Sequence, residues 1–270
     1  MLTIHRIAKL FGRGTPNEVR ALADVDLTIE EASFVIVIGT NGSGKSTLLN
    51  AIAGTFPVDS GSISLDGRDI TAWPEHRRAG LVGRVFQNPF SGTAPGMTIA
   101  ENLVLAARRG QARGLGLALK TGMRRELHER IARLNLGLEH RLDNVIGTLS
   151  GGQRQALTLL MASWVKPRLL LLDEHTAALD PKSADHVIRL SQDIVSRDRL
   201  TTVMVTHSMQ QASNLGDRLI MMHRGRVIHD FSGTERKRLR PEDLLARFEA
   251  VRRAERLDES AAEMLRRAYV

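Results

Sequence analysis

A glycine-rich segment near the N-terminus leaves few choices for the fold of this chain, because it fits the pattern G-x-x-x-x-G-K-[ST]. It runs Gly39-Thr40-Asn41-Gly42-Ser43-Gly44-Lys45-Ser46-Thr47. The apolar run Phe34–Ile38 before it predicts a buried strand, and Leu48–Ala53 after it predicts a helix. In that context the glycines let backbone N–H groups point toward a phosphate that the helix N-terminus also attracts. We therefore expect a phosphate-binding loop in which Lys45 bridges β- and γ-phosphate oxygens and the Ser46 hydroxyl ligates Mg²⁺.

A second apolar run, Leu169–Leu172, ends in two carboxylates, Asp173 and Glu174. In a parallel sheet the carboxyl ends of the strands meet the ligand crevice, so Asp173 is expected near the Mg²⁺ of the phosphate-binding loop. Glu174 then lies where it can polarise a water in line with the γ-phosphate. An acidic pair at a strand end is usually only solvated. The phosphate-binding loop in the same chain favours the functional interpretation.

A second anion site is predicted at Leu149-Ser150-Gly151-Gly152-Gln153, which opens a helical stretch. Ser150 can cap that helix, and the two glycines expose backbone N–H groups at its N-terminus. A plain N-cap explains the serine. It does not explain why a second phosphate-binding N-terminus occurs in the same chain as the first.

Short apolar runs alternate with helical stretches, and this alternation predicts an α/β fold with a mostly parallel core sheet. The buried strands are predicted at Phe34–Ile38, Leu169–Leu172 and Val203–Val205, and the helices at Lys45–Ala53, Gln153–Val165 and Lys182–Val195. More polar, alternating runs at Leu2–Ile7 and Val25–Ile29 predict an added N-terminal antiparallel β layer.

Strand signals are absent between about residues 90 and 148, and one helical face recurs there instead. Its apolar positions are Met123, Leu127, Ile131 and Leu134. We therefore expect a helical subdomain inserted into a domain that spans residues 1–233.

Residues 234–270 are predicted to form a tail of two short helices. Pro241 and the acids after it suit a first helical turn, and Leu244, Phe248 and Val251 share one face. The tail is thus expected to be helical throughout.

Composition limits the classes of function. The 270 residues include no cysteine, which excludes disulfides, thiolate zinc sites and a cysteine nucleophile. No uninterrupted apolar run reaches the roughly 18–20 residues of a spanning helix, and the N-terminus lacks a secretory signal. We expect a cytosolic chain whose membrane role comes through a partner.

The net charge of +8 is compatible with anionic partners, and its excess lies mainly in the middle of the chain. No Lys/Arg block of five or more residues occurs and aromatics beside the charges are nearly absent, which gives little support to a nucleic-acid-reading surface. Any membrane partner is expected to contact the basic helical subdomain, whose charges would also suit anionic lipid headgroups. The alternative is a solvated helical face whose charges only aid solubility. The charges in question are Arg108, Arg109, Arg113, Lys120, Arg124 and Arg125.

Taken in this order, the three motifs resemble those of the nucleotide-binding subunits of ATP-binding cassette (ABC) transporters. The resemblance covers roughly residues 2–230, and GTNGSGKST, LSGGQ and LLLLDE agree at the spacings of that family. It implies an ATP hydrolase with the P-loop NTPase fold and with ATP and Mg²⁺ as cofactors. It also implies a homodimer packed head to tail. In that dimer Ser150, Gly151, Gly152 and Gln153 of one subunit would complete the ATP site of the other.

The resemblance also assigns roles to single residues. Gln87 matches the Q-loop glutamine, which contacts Mg²⁺ or the attacking water, and His207 matches the switch histidine, which contacts the γ-phosphate. Asp180 matches the D-loop aspartate that communicates across the dimer, although an Asp before Pro181 is also an ordinary helix N-cap. Phe11 is the candidate to stack on adenine, with a place in the core as the alternative.

One departure from the family pattern follows the acidic pair. The family usually carries Pro-Thr-Ser-Ala there, whereas this chain carries His175-Thr176-Ala177-Ala178. His175 either tunes the neighbouring carboxylate or only fills space.

The resemblance implies the ATPase of a membrane transporter, bound at the cytoplasmic face of the membrane to two transmembrane permease subunits. Import of a small solute is favoured over export, with a substrate-binding protein as a further partner. Three segments together are similar to ATPases that accompany permeases for amino acids, especially aromatic ones: Asn88-Pro89 through Glu101-Asn102-Leu103, the variant His175-Thr176-Ala177-Ala178, and Leu239–Phe248. The alternatives are an exporter ATPase and a soluble ABC protein that acts on nucleic acid or ribosomes. The latter is disfavoured by the compact insert and the single cassette, so no direct nucleic-acid partner is expected.

Overall fold

The computed structural model describes residues 1–111, 121–251 and 253. Its strands are β1 (Leu2–Phe11), β2 (Val19–Ile29), β3 (Phe34–Gly39), β4 (Ser60–Leu65), β5 (Arg68–Asp69), β6 (Val82–Val85), β7 (Leu169–Asp173), β8 (Thr202–Val205), β9 (Arg218–His223) and β10 (Arg226–Ser232). Its helices are α1 (Lys45–Ala53), α2 (Glu75–Arg78), α3 (Ile99–Ala107), α4 (Thr121–Ala132), α5 (Gly151–Ser163), α6 (Pro181–Asp198), α7 (Met209–Asn214) and α8 (Gly233–Arg238). Short 3₁₀ helices cover Leu138–Arg141 and Ile146–Thr148, and a further helix covers 241–251.

The larger sheet has the order β10-β9-β3-β8-β7-β6. Neighbours from β9 to β6 run parallel, and only β10 pairs antiparallel. This confirms the predicted mostly parallel core. Because β3, β7 and β8 are parallel neighbours in that sheet, the loops that follow them open at one edge.

The smaller sheet is antiparallel, has the order β2-β1-β4-β5 and confirms the predicted N-terminal layer. Its first two strands are longer than the runs predicted from alternation. The reason is local, because Arg6 and Asp24 adopt positive φ at places where the register shifts. Such bulges break the two-residue alternation on which the prediction rests.

The apolar residues form two clusters on opposite faces of the parallel sheet. Val35 and Val37 of β3 face the antiparallel layer and α1, whereas Ile36 and Ile38 face the helices on the other side. This alternation is what a central strand buried on both faces requires.

Among the described residues of the segment around 90–148, α3, α4 and the two 3₁₀ helices alternate with turns, and no strand occurs apart from a single bridge between Thr98 and Val145. Leu127, Ile131 and Leu134 are buried and Met123 packs against them, so the predicted helical face is confirmed. Arg113 and Lys120 lie outside the described residues.

The tail contains α8 and the helix 241–251, and Leu244 and Phe248 are buried in the cluster on the helical side of the sheet. Residues 254–270 of the predicted tail lie outside the described residues. Within residues 1–111, 121–251 and 253, no helix has the length and apolar character needed to cross a bilayer.

Candidate functional site: a phosphate-binding loop at the sheet edge

Residues 39–47 connect β3 directly to α1, with Lys45 as the first residue of the helix. At two glycines of this loop, neighbouring backbone leaves no space for a side chain. A Cβ at Gly44, where φ is +99°, would lie 2.4 Å from the Ala21 carbonyl oxygen, and one at Gly39 would lie 2.4 Å from the Met222 carbonyl oxygen. These contacts explain why the loop needs glycine there.

The Lys45 ammonium is buried inside this loop. Its Nζ donates to the carbonyl oxygens of Gly39 at 2.9 Å and Thr40 at 3.0 Å. Burial lowers the pKa of Lys45, and the nearby carboxylates of Glu174 and Asp173 oppose that shift. The Ser43 hydroxyl is also buried and has no hydrogen-bond partner among the described residues. The Ser43 hydroxyl can therefore meet an anionic ligand without losing a hydrogen bond, whereas the Lys45 ammonium would exchange its two carbonyl partners for oxygens of the ligand.

A hydroxyl and a carboxylate meet where α1 approaches the end of β7. Ser46 Oγ donates to Asp173 Oδ1 at 3.3 Å. Oxygen donors of this kind are those that a hard divalent cation such as Mg²⁺ prefers. The other carboxylate oxygen of Asp173 lies 3.4 Å from Nη2 of Arg84 on β6, a contact that sequence reasoning missed. No local pattern marks it, because the two residues are far apart in the chain.

Glu174 and His207 form a second pair at the same edge. His207 follows β8, and its Nε2 lies 2.5 Å from Glu174 Oε1. The Glu174 backbone has φ of +45° and its N–H donates to the Val205 carbonyl at 3.0 Å. The structure thus brings two of the three predicted catalytic side chains, Glu174 and His207, into direct contact.

Gln87 and Phe11 are both placed at the surface. Gln87 lies two residues beyond β6, with an exposed side chain. Phe11 ends β1 and is 40% exposed, which excludes the alternative of a core position. Its ring packs edge-on against Phe56, with centroids 5.3 Å apart, and Lys9 Nζ lies near both rings. Phe56 was not predicted, since a single aromatic after a helix carries no signal.

The predicted second anion site forms the start of α5. Ser150 caps the helix reciprocally with Gln153, with N···O distances of 3.2 and 3.3 Å. A Cβ at Gly152 would lie 2.6 Å from Ser183 Oγ on α6, so that glycine permits close helix packing. Ser150 and Gly151 are exposed, and no hydrogen bond among the described residues joins them to the phosphate-binding loop.

Asp180 is exposed and caps α6, accepting a hydrogen bond from the Ser183 N–H at 3.0 Å. The side-chain and backbone hydrogen bonds from Ser183 lower the pKa of Asp180. The N-cap interpretation of this aspartate is therefore confirmed. Its role across a dimer stays a prediction.

His175 points into the interior beside α6. It is 1% exposed and its Nε2 lies 2.9 Å from Ser191 Oγ. Burial lowers the pKa of His175 to about 4, so the imidazole is neutral at neutral pH. These contacts support the interpretation that His175 fills space in the core, rather than the one in which it tunes the Glu174 carboxylate.

A groove of about 1000 Å³ separates the sheet edge from the helical subdomain, and we call it the subdomain groove. Apolar and basic side chains line it. They include Val82, Arg84, Phe86, Leu105, Arg108 and Arg109.

Comparison with known sequences fits this geometry. A family model described as ABC transporter matches residues 22–177, more than half of the chain. The tyrosine transport ATP-binding protein of Clostridioides difficile is 44% identical over 251 residues, which cover 92% of this chain and 99% of that protein. A lipoprotein-releasing system ATP-binding protein of Ruegeria pomeroyi is 35% identical, over 84% of this chain and 96% of that protein.

Solved structures similar to this chain are also ATP-binding cassettes. An ATP-binding cassette determined as a dimer in a post-hydrolysis state with ADP and Pi has a TM-score of 0.74 at 28% identity, over 86% of this chain and 98% of that one. A nucleotide-free cassette from an ABC transporter has a TM-score of 0.72 at 27% identity, over 87% of this chain and 92% of that one. The chain therefore belongs to the ABC transporter family, as an ATP-hydrolysing, ATP-binding subunit that energises a membrane transporter.

Proposed function

We propose that this chain energises the import of an amino acid, with aromatic amino acids as the favoured class. The observation that carries the proposal is the 44% identity to a tyrosine transport ATP-binding protein along nearly the full length of both chains. Relatives that import sulfate, Fe(3+) ions or spermidine are 32–35% identical. The relative from a lipoprotein-releasing system is the one observation that favours export.

In the proposed hydrolytic step, Glu174 orients the attacking water and takes its proton while the bond between the γ-phosphorus and the leaving oxygen breaks. The contact of 2.5 Å with His207 supports this role, because it fixes the Glu174 carboxylate at the sheet edge. Lys45 exchanges its two loop carbonyls for phosphate oxygens. Gln87, exposed beyond β6, is the proposed sensor of the γ-phosphate.

Ser46 and Asp173 are the proposed holders of Mg²⁺, with Gln87 as a further oxygen donor. The distance of 3.3 Å between Ser46 Oγ and Asp173 Oδ1 supports this, since both atoms suit a hard cation. When bound, Mg²⁺ neutralises negative charge on the β- and γ-phosphate oxygens. Phe11 and Phe56 together offer the exposed aromatic surface for adenine.

Two copies are proposed to pack head to tail. The start of α5 is exposed at Ser150 and Gly151, no hydrogen bond among the described residues joins it to the phosphate-binding loop, and a helix N-terminus attracts an anion. In the proposed dimer it completes the ATP site of the partner, with Asp180 at the shared surface. The dimeric cassette structure with bound ADP and Pi supports this arrangement.

The cassette is proposed to span residues 1–233, with the helical subdomain over about 90–148 inserted and residues 234–270 as a C-terminal tail. The subdomain groove is the proposed docking site of the permease at the cytoplasmic face of the membrane. Its position supports this, because it joins β6, which leads to Gln87, to α5, which begins at Ser150. A shift near the phosphates can therefore move the groove walls.

The test uses single cysteines, since the chain has none of its own. Leu105 lines the groove and is 55% exposed, whereas Arg189 is exposed on α6 and serves as the matched control. In native membranes, Leu105→Cys should crosslink to a polypeptide with several spanning helices far more efficiently than Arg189→Cys. The purified complex in proteoliposomes should then import tyrosine in preference to arginine.

Three results would contradict this proposal. Equal crosslinking from both positions would remove the docking site, and capture of DNA or RNA in place of a permease would favour the nucleic-acid alternative. ATP-dependent export by the reconstituted complex would reverse the proposed direction of transport.

A further inference from the structure

Arg84 lies beside Asp173, the carboxylate proposed above to hold the metal. In the parallel register of β6 and β7, Arg84 is paired with Leu171, two residues before Asp173. Residues two apart on a strand share a face, so the Arg84 and Asp173 side chains project to the same side of the sheet. Their charged ends lie 3.4 Å apart, and each side chain is 12% exposed.

The Arg84 guanidinium makes few and long hydrogen bonds, although its side chain is largely buried. Its Nη1 donates to Thr55 Oγ1 at 3.3 Å, and its Nε is buried without a partner among the described residues. Charge-assisted hydrogen bonds usually measure about 2.7–2.9 Å. Its best contact is with the Phe86 ring, whose centroid is 4.5 Å from the guanidinium carbon. Arg78, by contrast, makes four hydrogen bonds of 2.7–3.0 Å.

Arg84 stays beside Asp173 because its positive charge compensates that of the carboxylate. Asp173 is nearly buried, and a buried carboxylate without a nearby cation is costly. Ser46 contacts one carboxylate oxygen and Arg84 the other. A metal ion that approaches Asp173 therefore meets a carboxylate already paired with Arg84, with the Lys45 ammonium also nearby.

We propose that Arg84 is a positioning residue that acts as the counter-ion of Asp173 in the metal-free protein and gives up this carboxylate when Mg²⁺ enters with ATP. This rests on the proposed role of Asp173 as a metal holder. The stacking on Phe86 and the open subdomain groove beside it give the guanidinium a place to remain after it leaves Asp173. Metal binding and the Arg84–Asp173 ion pair thus compete.

The test measures Mn²⁺ binding by electron paramagnetic resonance, with a non-hydrolysable ATP analogue present. Arg84→Met keeps an apolar stem against Phe86 and removes the charge, so Mn²⁺ should bind about tenfold more tightly than to the wild type. Arg84→Lys keeps a cation near Asp173 and should stay within about twofold of the wild type. Arg168→Met, at an exposed arginine next to β7, is the matched control and should change nothing.

Thermal unfolding gives a second readout. Without metal or nucleotide, Arg84→Met should melt at a lower temperature than the wild type, and Mn²⁺ with the analogue should close that difference. Mn²⁺ affinity that is unchanged or weakened in Arg84→Met would overturn the inference. Asp173→Asn distinguishes failure of the Arg84 inference from failure of the proposed function. Unchanged Mn²⁺ binding in Asp173→Asn would remove the proposed metal role of Asp173 itself.

Discussion

Glu174 and His175 are neighbours in the chain but occupy opposite environments. The positive φ of Glu174 turns the backbone at the end of β7, and its carboxylate meets His207 at the sheet edge. His175 enters the interior and contacts Ser191. One residue of this pair is therefore available for chemistry, and the other contributes to stability.

The buried imidazole of His175 makes stability depend on pH. Burial lowers its pKa to about 4 from a usual 6.5, so between these values the unfolded chain binds a proton that the folded chain does not. The stabilisation is therefore present above pH 6.5 and is lost as the pH falls toward 4. From pH 7 to pH 5 the loss due to this residue should be about 2 kcal/mol.

His175→Gln keeps a polar group near Ser191 and cannot titrate. Between pH 7 and pH 5 its free energy of unfolding should therefore fall by about 2 kcal/mol less than that of the wild type. Urea unfolding of both proteins at pH 7 and pH 5 measures the difference. His128→Gln, on the exposed subdomain surface, is the control. An identical pH dependence in the wild type and His175→Gln would show that the imidazole is not held neutral.

At the scale of elements, buried arginines close the ends of helices that position the site. Arg78 is 1% exposed and donates to the carbonyls of Ala51 and Ile52 at the end of α1, and also to those of Thr71 and Trp73. The Ile52 carbonyl has no partner within α1, as expected for the last turn of a helix, and the Ala51 carbonyl also accepts from the Gly54 N–H that caps α1, at 3.2 Å. The helix that carries the phosphate-binding loop is thus held at both ends.

Arg78→Met should lower the free energy of unfolding by about 3–5 kcal/mol, because it leaves several buried carbonyl oxygens unpaired. Arg77→Met is the matched control on the same short helix. Arg77 is exposed and contacts only the Trp73 ring, at 4.1 Å, so its loss should cost less than about 1 kcal/mol. Equal losses for the two variants in urea unfolding would remove the proposed helix-closing role.

The sequence predicted those parts of the site that depend on neighbouring residues. The loop from Gly39 to Thr47, the strand ending at Asp173 and the cap at Ser150 all follow from local patterns that the structure confirms. Arg84 and Arg78 were missed because their partners are distant in the chain. Their positive charges suggested solvent, and only the tertiary fold brings them to buried oxygens.

At the scale of the whole molecule, the two halves of the proposed nucleotide site lie on separate elements. The phosphate-binding loop starts α1, and the exposed cap at Ser150 starts α5 at the end of the helical subdomain. The subdomain groove lies along the elements that connect these two halves. The proposed dimer joins each loop to the partner's cap, so the groove can respond to what the nucleotide site holds.

The most direct test of this account combines hydrolysis and assembly in Glu174→Gln. The substitution keeps the shape of the side chain and removes its charge, so ATP hydrolysis should fall by about 10²–10⁴-fold while ATP still binds. With Mg²⁺ and ATP, size exclusion with light scattering should then give twice the mass of one chain. Glu31→Gln, at an exposed turn, should hydrolyse ATP as the wild type does. Near-normal turnover in Glu174→Gln, or a chain that stays monomeric with ATP bound, would contradict the account.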